Sequence, residues 1–297
     1  LQPRYSIYQQ EINLTSTFDN CQLSTNAIIN GGTGVTPANE GNGSDTAVSG
    51  GCYADGEASL AVRKELAAGK VLVSLVGYSM SYNTLDNNKS PTSGLYAELR
   101  QDFAGVGGDV NFVRSSVDAR NYYEVIPDVV GVLRLQGGNV AAWGGKDLRM
   151  LDHFQMGPNL VRGFAPNGIG PRDLTAGTNN DALGGSMYWG ASVEFQTPLY
   201  FLPKEVGIKL ATFADAGSVW NYQGPTSWNV TGENLTVGLG DPSMIRSSVG
   251  VGLVWDSPLG PLRFDLAYPL KKYCDNSTGA QVCDHTQIFR FSGGTKF

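Results

Sequence analysis

The sequence predicts an all-β fold, a transmembrane antiparallel β-barrel with about ten strands in this chain. Three observations carry that reading. Long segments alternate apolar or aromatic residues with small or charged ones, the period-two signature of strands. Mean hydropathy is −0.16 and only 16% of residues are charged, a balance expected where lipid-facing and lumen-facing residues alternate. The joins between strands are short at one end and long at the other, as outer-membrane barrels have them. A soluble sandwich has a similar composition but gives no reason for that segregation, and its strands typically run to only ~5–6 residues.

The strands follow in order at about 4–12, 71–86, 94–104, 111–125, 129–143, 187–200, 206–220, 245–256, 260–269 and 287–297. In "MYWGASVEF", Trp189, Ala191, Val193 and Phe195 share one face, and Tyr188, Gly190, Ser192 and Glu194 the other. In "IRSSVGVGLVW", Val249, Val251, Leu253 and Trp255 oppose Ser248, Gly250, Gly252 and Val254. In "PLRFDLAYP", Leu262, Phe264, Leu266 and Tyr268 oppose Arg263, Asp265 and Ala267. In "FVRSSVDARNYY", Arg114, Ser116, Asp118 and Arg120 lie together. Such runs approach the ~9–11 residues a membrane strand needs, and the polar parity would line a lumen. Aromatics near strand ends, Tyr188, Trp189, Tyr200, Phe201, Trp220, Trp255, Tyr268 and Tyr273, would form interfacial girdles; β-propensity alone is the plainer account of them.

Between the strands, "NNKSPTS", "IPD", "FLPKE" and "DSPL" read as tight turns, and 105–110 is a short join at the opposite end. The segments 13–70, 144–186, 221–244 and 270–286 read as long extracellular loops. Within the first, "GEASLAVRKELAAGK" predicts a short helix stopped by Gly69. Four cysteines, Cys21, Cys52, Cys274 and Cys283, lie in polar loop stretches. Three pairings are possible, and proximity favours Cys21–Cys52 with Cys274–Cys283, in an oxidising compartment. No C-x-x-C spacing points to zinc or redox chemistry. The last segment, "QIFRFSGGTKF", contains Gly293–Gly294, a pair expected to kink the strand before the terminal Phe297.

Several function classes find no support. The two histidines, His153 and His285, lie in polar loops. No G-x-S-x-G, P-loop or H-E-x-x-H motif appears. A net charge of −6 without a basic run argues against nucleic acid. The expectation is a non-enzymatic protein without cofactor or metal. No run of about 18 apolar residues predicts a membrane helix. The chain opens at Leu1 with no recognisable leader, which reads as a removed segment or a fragment.

"LVRGF", "YWGASVEFQTPL", "FADAGSVW" and "SSVGVGLVWDSPLGPLRFDLAYPLKK" occur in that order before a final strand with terminal Phe, and "YNTLDNNKSPTSG" lies upstream. This set, from about Tyr5 to Phe297, resembles the BamA family of outer-membrane protein assembly factors. The resemblance implies a sixteen-stranded barrel preceded by periplasmic POTRA domains. About ten strands and no POTRA domain are present here, so the chain reads as the C-terminal portion of such a barrel, residues 1–297; the alternative is a naturally reduced ten-stranded barrel, whose small lumen so long a plugging loop would overfill.

The resemblance also implies a site. The family's VRGF loop folds back into the barrel, where its arginine contacts acids on the wall. Carried over, the latch comprises Val161, Arg162, Gly163 and Phe164, with Arg162 pairing Glu194 and Asp215 on adjacent strands. A reciprocal charge swap of Arg162 and Glu194 should then restore what either single change destroys. A weak lateral seam is expected at the last strand, marked by Gly293, Gly294 and Phe297. The implied role is folding and inserting barrel proteins into the outer membrane of Gram-negative bacteria. Its implied partners are outer-membrane lipids, unfolded β-barrel clients and, through POTRA domains, periplasmic and lipoprotein assembly subunits. A polypeptide-translocating barrel, of the two-partner secretion or translocation-assembly type, is the competing implication.

Overall fold

The computed structural model describes residues 1–14, 58–174, 180–203, 206–230, 233–257, 260–275 and 282–293. One antiparallel sheet of ten strands dominates, and its spatial order is the chain order. We number its strands β1 (Gln2–Gln10), β2 (Val71–Asn83), β3 (Gly94–Ala104), β4 (Phe112–Ile126), β5 (Val129–Ala142), β6 (Met187–Pro198), β7 (Ile208–Trp220), β8 (Arg246–Ser257), β9 (Gly260–Lys271) and β10 (Phe289–Gly293). Every predicted strand is present, with ends displaced by a few residues. β10 begins two residues late, and Gln287 pairs with the loop at Gly163 instead. Among the described residues, β1 and β10 do not pair with each other. No described helix is long and apolar enough to cross a membrane.

Hydrophobicity is inverted relative to a water-soluble sheet. Tyr5, Ile7, Met80, Leu135, Phe195, Val251, Leu266 and Phe291 are exposed on the outer face. Asp102, Glu194, Asp215, Ser248 and Asp265 are buried on the inner one. That arrangement suits a wall with lipid outside and a polar lumen inside. The sheet curls around the loop between β5 and β6. Leu148, Phe154, Leu160, Val161, Phe164 and Ile169 of that loop share one buried cluster with Val73 of β2, Phe112 of β4, Val140 of β5 and Val219 of β7. Each such side chain contributes about 1.5–3 kcal/mol on full burial, which offsets the entropy of ordering a long loop.

Tight turns close the opposite end. Asp128 takes φ 68° in the β4–β5 turn and donates its N–H to the Glu124 carboxylate at 3.1 Å. Asp86 organises the β2–β3 turn, accepting from Thr92 Oγ1 at 2.7 Å and from the Thr92 and Ser93 amides. These bonds, led by the Thr92 hydroxyl, hold its carboxyl down at about 2.

The long loops are more ordered than their sequence suggests. Helix α1 (Leu60–Ala68) forms as predicted and ends at Gly69, whose φ is 64°. Ala61 of the helix joins Met150, Leu183, Tyr222 and Val237 in a second buried cluster over the sheet's long-loop end. Arg149 fastens the helix there through an ion pair with Glu65. Short ladders join Ser227–Val230 to Glu233–Thr236, and Leu239–Gly240 to Arg172–Asp173. Cys274 and Cys283 form a disulfide across another two-residue ladder. Cys21 and Cys52 lie outside the described residues. One girdle residue is corrected. Tyr188 is 8% exposed and packs edge-on against Phe154 at 4.7 Å, because its parity is that of the lumen face. Tyr200, Phe201 and Tyr268 are exposed.

Candidate functional site

The loop reaches the inner wall at Leu160–Phe164. Gly190 of β6 and Gly217 of β7 stand opposite each other in the ladder and leave a shallow floor. Leu160 and Val161 occupy it: an added Cβ on Gly217 would lie 3.1 Å from Val161 Cγ2 and 3.2 Å from Leu160 Cδ2. At Gly163 the chain turns with φ 89°, a region L residues rarely adopt. A Cβ there would meet the Ala267 carbonyl oxygen of β9 at 3.3 Å. Phe164 is fully buried and bridges to Thr286. Packing on both sides of Arg162 thus leaves its side chain one direction, along the wall.

Arg162 meets four wall side chains. Its Nε and Nη2 donate to the two carboxylate oxygens of Asp215, both at 2.7 Å. Its backbone N–H donates to Asp215 Oδ2 at 3.0 Å. Nη1 donates to Glu194 Oε2 at 2.5 Å, and Nη2 to Ser192 Oγ at 2.9 Å. The Arg162 guanidinium carbon lies 3.4 Å from the Phe213 ring centroid, so a π face covers the plane of the fork. The side chains are 11% exposed for Arg162, 8% for Glu194 and 2% for Asp215. A planar five-donor cation suits paired carboxylates in a way that an ammonium does not.

Glu194 serves two arginines. Arg263 of β9 grips it through Nη1 at 3.0 Å and Nη2 at 2.7 Å, while Arg263 Nε donates to Asp265 at 2.8 Å. Gln196 completes the Glu194 shell at 2.8 Å. Ser192 Oγ donates to Asp215 Oδ1 at 2.7 Å. The cluster therefore holds two guanidiniums and three carboxylates, bound as one network. Each oxygen of Glu194 and Asp215 already accepts two hydrogen bonds, so neither is free to act as a base. The arrangement is built to hold. It also revises the reciprocal-swap expectation: an arginine at 194 would face Arg263, and a glutamate at 162 would face Asp215.

Arg263, Asp265 and Phe213 are the members that the motif did not supply. Alternation is the signal that finds them: "PLRFDLAYP" gives Arg263 and Asp265 the polar parity, and "IKLATFADAGSVW" gives Phe213 the parity of Asp215. The cluster itself forms one side of a cavity of about 380 Å³. Arg120, Arg134 and Arg290 line it with Tyr122. At the other end of the wall, Gly293 stands opposite Leu262 in the β9–β10 ladder. Gly294 and Phe297 lie outside the described residues. No described group of three His, Cys, Asp or Glu residues could hold a metal ion.

His153 bonds to groups outside the network. Its Nδ1 donates to the Arg149 carbonyl at 2.8 Å, and its Nε2 accepts from the Gln223 amide at 3.0 Å, which fixes the neutral tautomer. Tyr222 packs on the ring at 4.7 Å. Burial pushes its pKa down to about 4.

Comparison with known proteins bears on this geometry. The Omp85 superfamily domain matches residues 3–297. The chain is 38% identical over 218 residues to "Outer membrane protein assembly factor BamA" of Neorickettsia risticii, a match covering 73% of this chain and 27% of that protein. It is 30% identical over 254 residues to "Sorting and assembly machinery component 50 homolog" of Bos taurus, covering 81% and 48%. The crystal structure of BamA from Haemophilus ducreyi lacking POTRA domains 1–3 shares the fold, with a TM-score of 0.59 at 24% identity over 75% of this chain and 42% of that one. The chain thus spans about a quarter to a half of the length of these curated relatives. A family match over essentially its whole length, on an inverted sheet that encloses its own loop, makes this chain a barrel domain of the Omp85 superfamily, of the BamA type.

Proposed function

We propose that this chain is the C-terminal portion of the barrel of a β-barrel assembly factor in the Gram-negative outer membrane. It inserts client barrels without catalysis and without a cofactor. The observation that carries the reading is the fully engaged Arg162 network, which ties an inward loop to three wall strands. The relatives' names, assembly factor and sorting and assembly component, point the same way. The last strand provides the lateral seam, since a strand edge can template an incoming strand by main-chain pairing. Partners are lipids on the apolar outer face, unfolded barrel clients at the seam and accessory subunits bound to periplasmic domains.

A depletion strain rescued by variants tests this. With Arg162→Ala in the full-length protein, folded porins should fall while secreted proteins are affected only secondarily. A polypeptide-translocating barrel gives the reverse: porins unchanged and one secreted substrate lost. That reverse outcome would overturn the assembly reading.

A further inference from the structure

The loop holds the wall and the last strand by two grips of different strength. On the wall, Arg162 binds two carboxylates in a nearly closed site. On the last strand, Arg290 reaches back to the same loop, donating from Nη1 to the Pro158 carbonyl and from Nη2 to Asn159 Oδ1, both at 2.7 Å. Both of these acceptors are uncharged, and the contact to Asn159 is open to solvent. Hydrogen bonds between two ions are stronger than those from an ion to a neutral acceptor, and exposure weakens the latter further.

The segment leading into β10 is held by the same loop. Ala165 N–H donates to the His285 carbonyl and His285 N–H to the Gly168 carbonyl, each at 2.9 Å. Gln287 N–H donates to the Gly163 carbonyl at 2.9 Å. Just upstream, Asp284 is buried against Arg246 at 2.9 Å, next to the Cys274–Cys283 disulfide. The lead-in is therefore fixed, and the described part of β10 beyond it depends on its ladder with β9 and on Arg290.

We propose that Arg290 is a positioning residue, a releasable clip between the last strand and the loop, so that once the Pro158 and Asn159 contacts break only the five-pair ladder with β9 has to open for β10 to part, while Arg162 keeps the loop on the wall. This rests on the assembly reading for its use but not for its geometry. The clip is the weaker grip, and it lies past the fixed lead-in. Release therefore swings the strand about residues 284–287 and leaves the lumen filled. Arg290 acts through the loop and touches no client.

The test is hydrogen–deuterium exchange on the full-length protein in lipid nanodiscs. Arg290→Gln should raise exchange of the Phe289–Gly293 amides by about tenfold, the loss expected from two hydrogen bonds to a charged donor at partial exposure. Amides of β6 and β7 should not change. Asn159→Ala should give part of the same increase, and the double variant no more than Arg290→Gln. If Arg290→Gln folds poorly, Arg290→Lys, which can keep one contact, should give an intermediate rise. Unchanged β10 exchange in Arg290→Gln, or an equal rise in β6 and β7, would overturn the clip. Exchange that rises as expected while client folding is unaffected would leave the clip standing and count against the seam in the assembly reading.

Discussion

Exchanging the charges of Arg162 and Glu194 is the perturbation on which the structure speaks most sharply. If these residues formed an isolated pair, Arg162→Glu with Glu194→Arg would rebuild it. In the network, the swap re-forms one contact, now 2.5 Å between Arg162 and Glu194. It destroys two between Arg162 and Asp215 and two between Arg263 and Glu194. It also sets carboxylate against carboxylate and guanidinium against guanidinium. Each hydrogen bond to a charged group is worth about 1.5–3 kcal/mol, and a buried charge left without its partner costs about 3–5 kcal/mol. Arg162→Ala should therefore destabilise the barrel by about 3–5 kcal/mol, and the double swap by at least as much. Arg162→Lys keeps the charge but not the fork and should fall between parent and Ala. The assay is urea unfolding of the full-length protein in detergent, followed by tryptophan fluorescence and read as a shift in midpoint. Restoration of the double swap to within about 1 kcal/mol of the parent would refute the network account and reinstate a simple pair.

Three further outcomes are expected. Gly163→Ala places a side chain at φ 89° against Ala267 and should cost about 1–2 kcal/mol in the same unfolding assay, with Phe164 displaced. Gly217→Ala brings a Cβ to 2.9 Å from the Trp189 carbonyl oxygen and against Val161 and Leu160 and should cost about 1–3 kcal/mol, whereas Gly107→Ala, where no atom approaches an added Cβ, should show only its backbone strain. The third concerns pH. His153 titrates near 4 in the folded protein against 6.5 in the unfolded one, so the unfolded state binds the proton first as pH falls. Stability is then full above about 6.5, is lost progressively down to about 4 and amounts to a change of about 3 kcal/mol. His153→Gln should flatten that part of the profile; an unchanged slope would remove His153 as its source.

Much of the wall was legible because period two is a local signal. The alternation in "MYWGASVEF" and "PLRFDLAYP" gives the face of Glu194, Arg263 and Asp265 without any neighbour being known. The lead-in to β10 was misread for the opposite reason. The strand was expected to start at Gln287, but Gln287 pairs with the loop at Gly163, next to the His285 pairing with Ala165 and Gly168. Nothing within a few residues of either segment encodes that choice. The small ladders at Arg172–Asp173 and Leu239–Gly240 escaped for the same cause, since each is two residues long and its partner is more than sixty residues away. Parity likewise shows that Arg263 points inward but not that it reaches Glu194, because β9 and β6 are not neighbours in the sheet. Tyr188 was placed with the girdle by its residue type, although its parity already said lumen.

The chain-order sheet has a consequence in time. Every strand pairs with the one made just before or just after it, so the wall can grow hairpin by hairpin, each step closing a short loop. Arg162 is the exception. It is made before all of its partners, and Ser192, Glu194, Phe213 and Asp215 arrive on two later strands. Its guanidinium must therefore stay solvated until β6 and β7 stand side by side. Closing of the latch then reports that those two strands have docked in register.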